Sequence, residues 1–296
     1  MTGIILLDKP KGITSFGAVA RVRRICGEKK CGHTGTLDPM ATGVLTVMLG
    51  GATRFCELLP SHDKAYIATF RLGTVTDTLD ITGEVLTENE VNVKRDDIEK
   101  ILPEFTGEIF QVPPMYSALK KDGVRLYDLA RQGIEVEREK RKITIYSLEL
   151  TSYEGENEFE IDVSCSKGTY IRTLIDDIGR RLGCGAVMTG LTRTRANGVD
   201  LSECLSLEEL GAICEKGEPE SSLHTVDSLL PYDIIKVTDN QAKRFSNGGE
   251  LDCARLKITP EEGLYKVYSH GGDFLGLGEI TEDKMQLKVR RVYVEL

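Results

Sequence analysis

Asp38 has the setting that most invites chemistry. It stands directly before Pro39 in the run Gly32-His33-Thr34-Gly35-Thr36-Leu37-Asp38-Pro39-Met40-Ala41-Thr42-Gly43-Val44-Leu45. A following proline pushes a residue away from helical angles toward an extended backbone, so the carboxylate projects from a loop. Gly32, Gly35 and Gly43 tolerate angles that other residues avoid, and they let another chain approach closely. A carboxylate so placed can serve as a nucleophile or a base. Taken alone, Asp-Pro more often just begins a turn. The eight cysteines form no Cys-x-x-Cys pair, and with four histidines no set has the spacing of a zinc site. Nor is there a phosphate loop or a nucleotide fingerprint, so the chemistry to expect is free of metal and cofactor.

Several elements must hold such a residue. The β-branched run Val44-Leu45-Thr46-Val47-Met48-Leu49 predicts a buried strand after the loop. Lys9-Pro10-Lys11-Gly12-Ile13-Thr14-Ser15 leads into a helix from about Phe16 to Ile25, capped by Thr14 or Ser15, with Arg21, Arg23 and Arg24 outward. A short helix is expected around Thr53 to Leu59. Tyr66-Ile67-Ala68-Thr69-Phe70-Arg71-Leu72 alternates as a strand with Tyr66, Ala68, Phe70 and Leu72 on one face. The 92–102 stretch is helical and acidic. Phe159, Ile161, Val163 and Cys165 alternate in another strand. Ile171, Leu174, Ile175, Ile178 and Leu182 then recur at helical spacing up to Gly183, a fitting stop. That spacing puts Arg172 in the first turn, on the polar side of a core-packed helix.

The chain has 296 residues, 40% apolar and 29% charged, as in ordinary globular proteins. Its net charge of −9 argues at first against nucleic acid. Basic residues nevertheless outnumber acidic ones in 1–60 and 163–200, while acid gathers at 84–108 and 201–220. No run approaches the roughly 18 to 20 apolar residues that span a bilayer. Without a basic leader or signal-like run, a cytoplasmic protein is expected, its cysteines free and mostly buried. From Ile234 the texture changes: Asn247-Gly248-Gly249, Gly271-Gly272, Gly276 and Gly278 punctuate short strands such as Leu264–Tyr268 and Leu287–Val294.

The run HTGTLDPMATGVL resembles, nearly residue for residue, the catalytic motif of the TruB family of tRNA pseudouridine synthases. The opening KPxGxTS followed by VRR, the segment Gly73-Thr74-Val75-Thr76-Asp77-Thr78-Leu79-Asp80 and the string GTYIRTL at 168–174 extend the likeness over 1–230. The resemblance implies an α+β fold with a mixed, largely antiparallel central sheet flanked by helices. It implies a catalytic domain at 1–230, with an RNA-binding insertion at about 113–142, and a small β-rich PUA-like RNA-binding domain at 231–296. The insertion is rich in Lys and Arg, with Tyr116 and Tyr127 interspersed.

The resemblance also assigns roles. Asp38 would be the essential carboxylate, Tyr66 would stack on the target base, and Arg172 would pair with Asp38. An arginine suits that task because it stays charged and offers a rigid fork. Lys9 would brace the loop, His33 would fill the space left by a flipped base, and Tyr170 and Leu191 would meet the substrate. Asp77 and Asp80 read as structural loop carboxylates, and Arg193 and Arg195 add positive charge nearby. The implied activity is isomerisation of uridine 55 in the tRNA T stem-loop by a monomer that needs no protein partner and no membrane. Three rival readings stand beside it. A glycoside hydrolase needs two carboxylates; an RNA-binding folding chaperone needs no Asp38; a guide-RNA-dependent synthase of the dyskerin type would carry longer basic tails.

Overall fold

The computed structural model describes residues 1–59, 63–155 and 157–293. The chain divides into two compact units. One comprises Met1–Leu37, Leu45–Pro60 and Glu203–Leu296; the other comprises Asp38–Val44 and Ser61–Ser202.

In the first unit, strand Gly3–Lys9 lies beside strand Thr42–Leu49, of which residues 45–49 belong here. Strand Cys31–Thr34 pairs antiparallel with it, His33 opposite Val47. Helix Ser15–Ile25 starts where predicted: the Thr14 hydroxyl accepts from the Gly17 N–H at 2.9 Å, satisfying one of the orphan donors of the first turn. It turns Ala18, Val19 and Val22 onto Ile5, Leu7, Leu45, Val47, Leu49 and, from helix Leu207–Glu215, Leu207 and Leu210. Its three arginines stay exposed. The segment expected as a helix at 53–59 forms a 3-10 turn earlier, at Gly50–Phe55.

Also in this unit, five strands run in the order Asp233–Lys236, Gly263–Tyr268, Phe274–Ile280, Gln286–Val292 and Leu251–Asp252. The end of the strand predicted at Leu287–Val294, Val294 itself, lies outside the described residues, as does the end of 231–296. A helix that glycine texture alone did not reveal, Asp239–Ser246, buries Phe245 against Val267, Ile280 and Leu287. The cysteines are free, as expected, but three are buried and five only partly so. Cys26, Cys31 and Cys214 sit at the edge of the first apolar cluster rather than inside it.

The second unit is built on a sheet in the order Ala186–Ala196, Lys64–Leu72, Glu158–Cys165, Arg141–Glu154 and Gly107–Gln111. Those pairings are antiparallel. The first residues of Thr42–Leu49 join Ala186–Ala196 in parallel, Thr42 opposite Thr192 and Gly43 opposite Arg193. The sheet is therefore mixed and largely antiparallel, and with its helices the fold is α+β. The predicted alternation holds in Lys64–Leu72: Tyr66, Ala68, Phe70 and Leu72 are buried. Helix Ile171–Leu182 has the expected bounds, with Gly183 left-handed at φ 81° as its stop. The acidic helix is shorter than predicted, Arg95–Ile101: it starts after an extended Lys94, and Pro103 turns its far end into the tighter Leu102–Phe105. The 113–142 stretch holds a hairpin of Lys120–Lys121 with Val124–Arg125 and the short helix Leu126–Ala130.

Candidate active site

The Asp38 loop has a positioner at each end. On the first unit's side, the Ser15 hydroxyl accepts from the Leu37 N–H at 2.8 Å and donates to the Leu37 carbonyl at 3.0 Å. That fixes the residue covalently before Asp38. Ser15 owes its place to the turn after Gly3–Lys9, where Lys9, fully buried, donates its Nζ to the carbonyls of Pro10 and Ile13 at 2.8 Å each. On the second unit's side, the Asp38 backbone carbonyl accepts from the Ala41 N–H at 3.1 Å, closing a turn. Gly43 then brings the chain against Ala186–Ala196 so tightly that a Cβ there would stand 2.2 Å from the Arg193 carbonyl oxygen. Its φ of 102° likewise suits only glycine.

Asp38 meets Arg172 in two contacts. Nε lies 3.0 Å from Oδ2, and Nη2 donates to Oδ1 at 3.2 Å. The remaining guanidinium N–H groups are also answered. Nη1 donates to the Thr78 carbonyl at 3.2 Å and lies 3.6 Å from Asp80 Oδ2, and Nη2 donates to the Tyr116 carbonyl at 2.8 Å. The Arg172 side chain is 7% exposed and that of Asp38 33%. The arginine is thus sealed while the carboxylate keeps an open side. The pairing of Arg172 with Asp38 is as the resemblance implied, but Arg172 is buried rather than on an open polar side. Its helix is indeed core-packed, but the 76–80 loop and Tyr116 cover its first turn.

That turn is fixed by Gln111, buried at the end of Gly107–Gln111. Its side-chain Oε1 accepts from the Tyr170 N–H at 2.9 Å, and its Nε2 donates to the Tyr170 carbonyl at 3.0 Å. Asp80 is the structural loop carboxylate foreseen, and it is also the second acid at Arg172. Its Oδ1 accepts from Thr78 Oγ1 and from the Thr82 N–H, both at 3.0 Å. Leu79, between the Thr78 carbonyl and Asp80, sits at φ 63°. A leucine held at positive φ is strained by about 1–2 kcal/mol.

Tyr66 is 7% exposed and is the direct cross-strand partner of Arg193, so the two side chains lie side by side on one sheet face. Burial pushes the Tyr66 phenol up; Arg193, which hydrogen-bonds it, draws it back, and the charge of Asp38 raises it again. Arg193 was expected to add positive charge nearby, with no burial foreseen. It is instead 1% exposed, and its Nε donates to the Val44 carbonyl at 2.8 Å. Its alternation with buried Leu191 was the available signal, since i and i+2 share a strand face. Burial also pulls the Lys64 ammonium down, assisted by Arg193. Tyr170, half-buried at the helix start, is pushed up mainly by burial, with Asp38 adding to the rise. Leu191 is 9% exposed, opposite Ala68. Asp38, Tyr66, Tyr170, Arg172 and Leu191 therefore share one unit, while Lys9 and His33 belong to the other. Gln111 and Arg193 carry no quoted motif, and Ser15, within the KPxGxTS run, was read only as a helix cap.

A carboxylate held at two points by an arginine and one third exposed can act as a nucleophile or a base, and the comparisons give the class as pseudouridine synthase. Solved structures with the same fold include an archaeal box H/ACA Nop10–Cbf5 complex, at 26% identity and TM-score 0.73 over 99% of this chain and 86% of that one. A Cbf5–Nop10–Gar1 complex matches at 27% identity and TM-score 0.76, over 99% of this chain and 85% of that one. Residues 23–171 match the TruB family pseudouridylate synthase N-terminal domain, 172–235 a tRNA pseudouridylate synthase B C-terminal domain, and 234–293 the C-terminal domain of pseudouridine synthase II TruB. Curated relatives named tRNA pseudouridine synthase B include those of Pseudomonas fluorescens, 48% identical over 96% of this chain and 93% of the relative, and Ectopseudomonas mendocina, 46% identical over 98% and 95%. The chain belongs to the TruB family of tRNA pseudouridine synthases. Among the described residues no helix is long and apolar enough to cross a membrane.

Proposed function

We propose that this chain converts uridine 55 in the T-loop of tRNA to pseudouridine, with Asp38 as the essential carboxylate. The two-point pairing of Asp38 with a sealed Arg172 carries this reading, because it orients one carboxylate that is still one third exposed to a substrate. The bond from C1′ to uracil N1 breaks, the base turns, and C5 bonds to C1′. The proton leaving C5 is balanced by one gained at N1. Asp38 attacks C1′ or C6, or abstracts a proton to give a glycal-like intermediate. Tyr66 stacks on the uracil and helps deprotonate C5, Arg172 orients Asp38, and Arg193 positions the Tyr66 hydroxyl. Tyr170 and Leu191 meet the base.

A uridine stacked in an RNA loop must be flipped out to be reached. His33 fills the vacated space and Lys9 braces the loop. Basic residues of the 113–142 insertion and the 231–296 domain hold the stem-loop, mainly by shape. The enzyme acts in the cytoplasm, as a monomer without a protein partner.

The test is Asp38→Asn with purified protein, T-loop RNA and no guide RNA. The expected result is retained binding with no tritium released from 5-labelled uridine, against brisk release by the unaltered protein. Release by Asp38→Asn sinks the assignment, and a guide requirement would replace it with the guide-dependent reading.

A further inference from the structure

Arg172 is gripped from two sides by stretches of different firmness. On one side lies the 76–84 loop, which supplies the Thr78 carbonyl and Asp80. This loop is tied to strand Ala186–Ala196. The Ile81 N–H donates to the Met188 carbonyl at 2.9 Å, and the Met188 N–H donates back to the Leu79 carbonyl at 3.3 Å. Within the loop the Thr76 hydroxyl donates to the Asp80 carbonyl at 2.7 Å, and a Cβ at Gly83 would collide with Asp77 and Thr78.

On the other side, residues 112–119 belong to no helix or strand, and Pro113 and Pro114 have no N–H to offer a ladder. The Tyr116 carbonyl nevertheless takes a 2.8 Å bond from Arg172 Nη2, shorter than the 3.2 Å bond from the same nitrogen to Asp38. The backbone around it leads into the insertion. The Tyr127 N–H donates to the Ser117 carbonyl at 3.2 Å, the Leu126 N–H to the Leu119 carbonyl at 2.7 Å, and Arg138 Nη1 to the Pro113 carbonyl at 3.3 Å.

A side-chain contact joins the two stretches. The Tyr116 hydroxyl donates to Asp77 Oδ2 at 3.0 Å. Asp77 is itself fixed: its Oδ1 accepts from the Glu84 N–H at 2.8 Å, and its own N–H donates to the Glu84 carbonyl at 3.1 Å. A hydroxyl bonded to a carboxylate is stronger held than one bonded to a neutral acceptor. That bond pushes the Tyr116 phenol up, ahead of burial and of the Asp77 charge. Asp77 therefore has a line to Asp38 that runs through Tyr116 and Arg172.

We infer that Asp77 and Tyr116 are positioning residues: the bond between them seats the Tyr116 carbonyl on Arg172 and so holds the guanidinium fork against Asp38. In its consequence for turnover the inference rests on the proposed reaction.

Tyr116→Phe removes the hydroxyl and keeps the ring and the carbonyl. In single-turnover tritium release from T-loop RNA it should slow the full chain about tenfold, the scale of one hydrogen bond to a charged group, with the Kd for RNA unchanged. Asp77→Ala should slow it at least as much, and the double variant no more than Asp77→Ala alone, because both cut the same bond. In an Arg172→Lys background Tyr116→Phe should cost nothing further. An unslowed Tyr116→Phe overturns the proposal. So do losses that multiply, a Kd that rises with the loss of rate, or the full loss on top of Arg172→Lys. A second readout needs no turnover. In proton–nitrogen spectra of isotope-labelled protein, the Arg172 Nε–H signal, assigned by its loss in Arg172→Lys, should move in Tyr116→Phe. An unmoved signal likewise overturns the proposal. A moved signal in a chain that releases no tritium would sink only the proposed reaction, and an unmoved one in an active chain would sink only the clasp.

Discussion

Arg172 and Thr173 are neighbours in one helix turn, yet their surroundings are opposite. Every guanidinium nitrogen of Arg172 is answered, by Asp38, Asp80 and the carbonyls of Thr78 and Tyr116. Thr173 and Asp176 each keep a buried oxygen that nothing among the described residues answers. A saturated charge is committed to orienting what it touches and has little left for a ligand. An unsaturated buried oxygen is the reverse: it orients nothing and is costly until something arrives. The contrast separates a charge whose partners the fold supplies from buried polar atoms that nothing among the described residues answers.

The contrast breaks most sharply at Arg172. Arg172→Lys keeps the charge and loses the fork, so kcat on T-loop RNA should fall by about 10² to 10³, the scale for losing a preorganised electrostatic contact, while KM moves little. An equal rise in KM would make Arg172 a binding residue instead. Arg193→Gln, with Arg193→Lys as the charge-keeping control, is expected to lower kcat about tenfold. Because Arg193 draws the Tyr66 phenol down, neutralising it should move the rising limb of the pH–rate profile to higher pH. An unmoved profile would leave Arg193 a packing residue.

On the unsaturated face the effects are smaller and opposite in sign. Thr173→Val removes a hydroxyl without a partner and should stabilise the free protein by about 1 kcal/mol, read as a higher urea midpoint. A loss of stability would mean that the hydroxyl is answered after all. Asp177→Asn sharpens the picture further. A carboxyl whose pKa rises from 3.8 to about 6 on folding favours the folded state at low pH and loses that advantage as pH climbs between those values. Asn should therefore stabilise above pH 6 by about 1 kcal/mol, discounted for partial exposure, with the gain gone near pH 4. A pH-independent gain would mean that burial and Asp176 do not raise the Asp177 carboxyl.

Much of the site is legible in the chain because local strings encode it. The Asp38-Pro39 loop, the alternation that buries Tyr66 and the helical spacing that ends at Gly183 depend on near neighbours, and each appears as read. What escaped depends on residues far apart in sequence. Gln111 clamps Tyr170 across 59 positions, and Ser15 holds Leu37 across 22. Neither amide nor hydroxyl announces such a partner by type. The burial of Arg172 escaped because helix periodicity sees one helix and not the 76–80 loop laid over its polar side. The helix Asp239–Ser246 was missed because the glycines that follow it, from Gly248 on, suggested strands and turns throughout the region.

Gly43 has a larger part than its size suggests. Its Cα lies so near the Arg193 carbonyl that a single methyl group has no room. Five residues away the chain carries Asp38, so Gly43 is the fulcrum of a short lever whose far end holds the carboxylate. A wedge of a few tenths of an ångström at the fulcrum swings the tip by more than that, and a 3.0 Å contact with Arg172 leaves little slack. Alignment of the Asp38 carboxylate is therefore set in part by the packing at Gly43, and a mutation there should damage turnover while resembling nothing more than a tight fit.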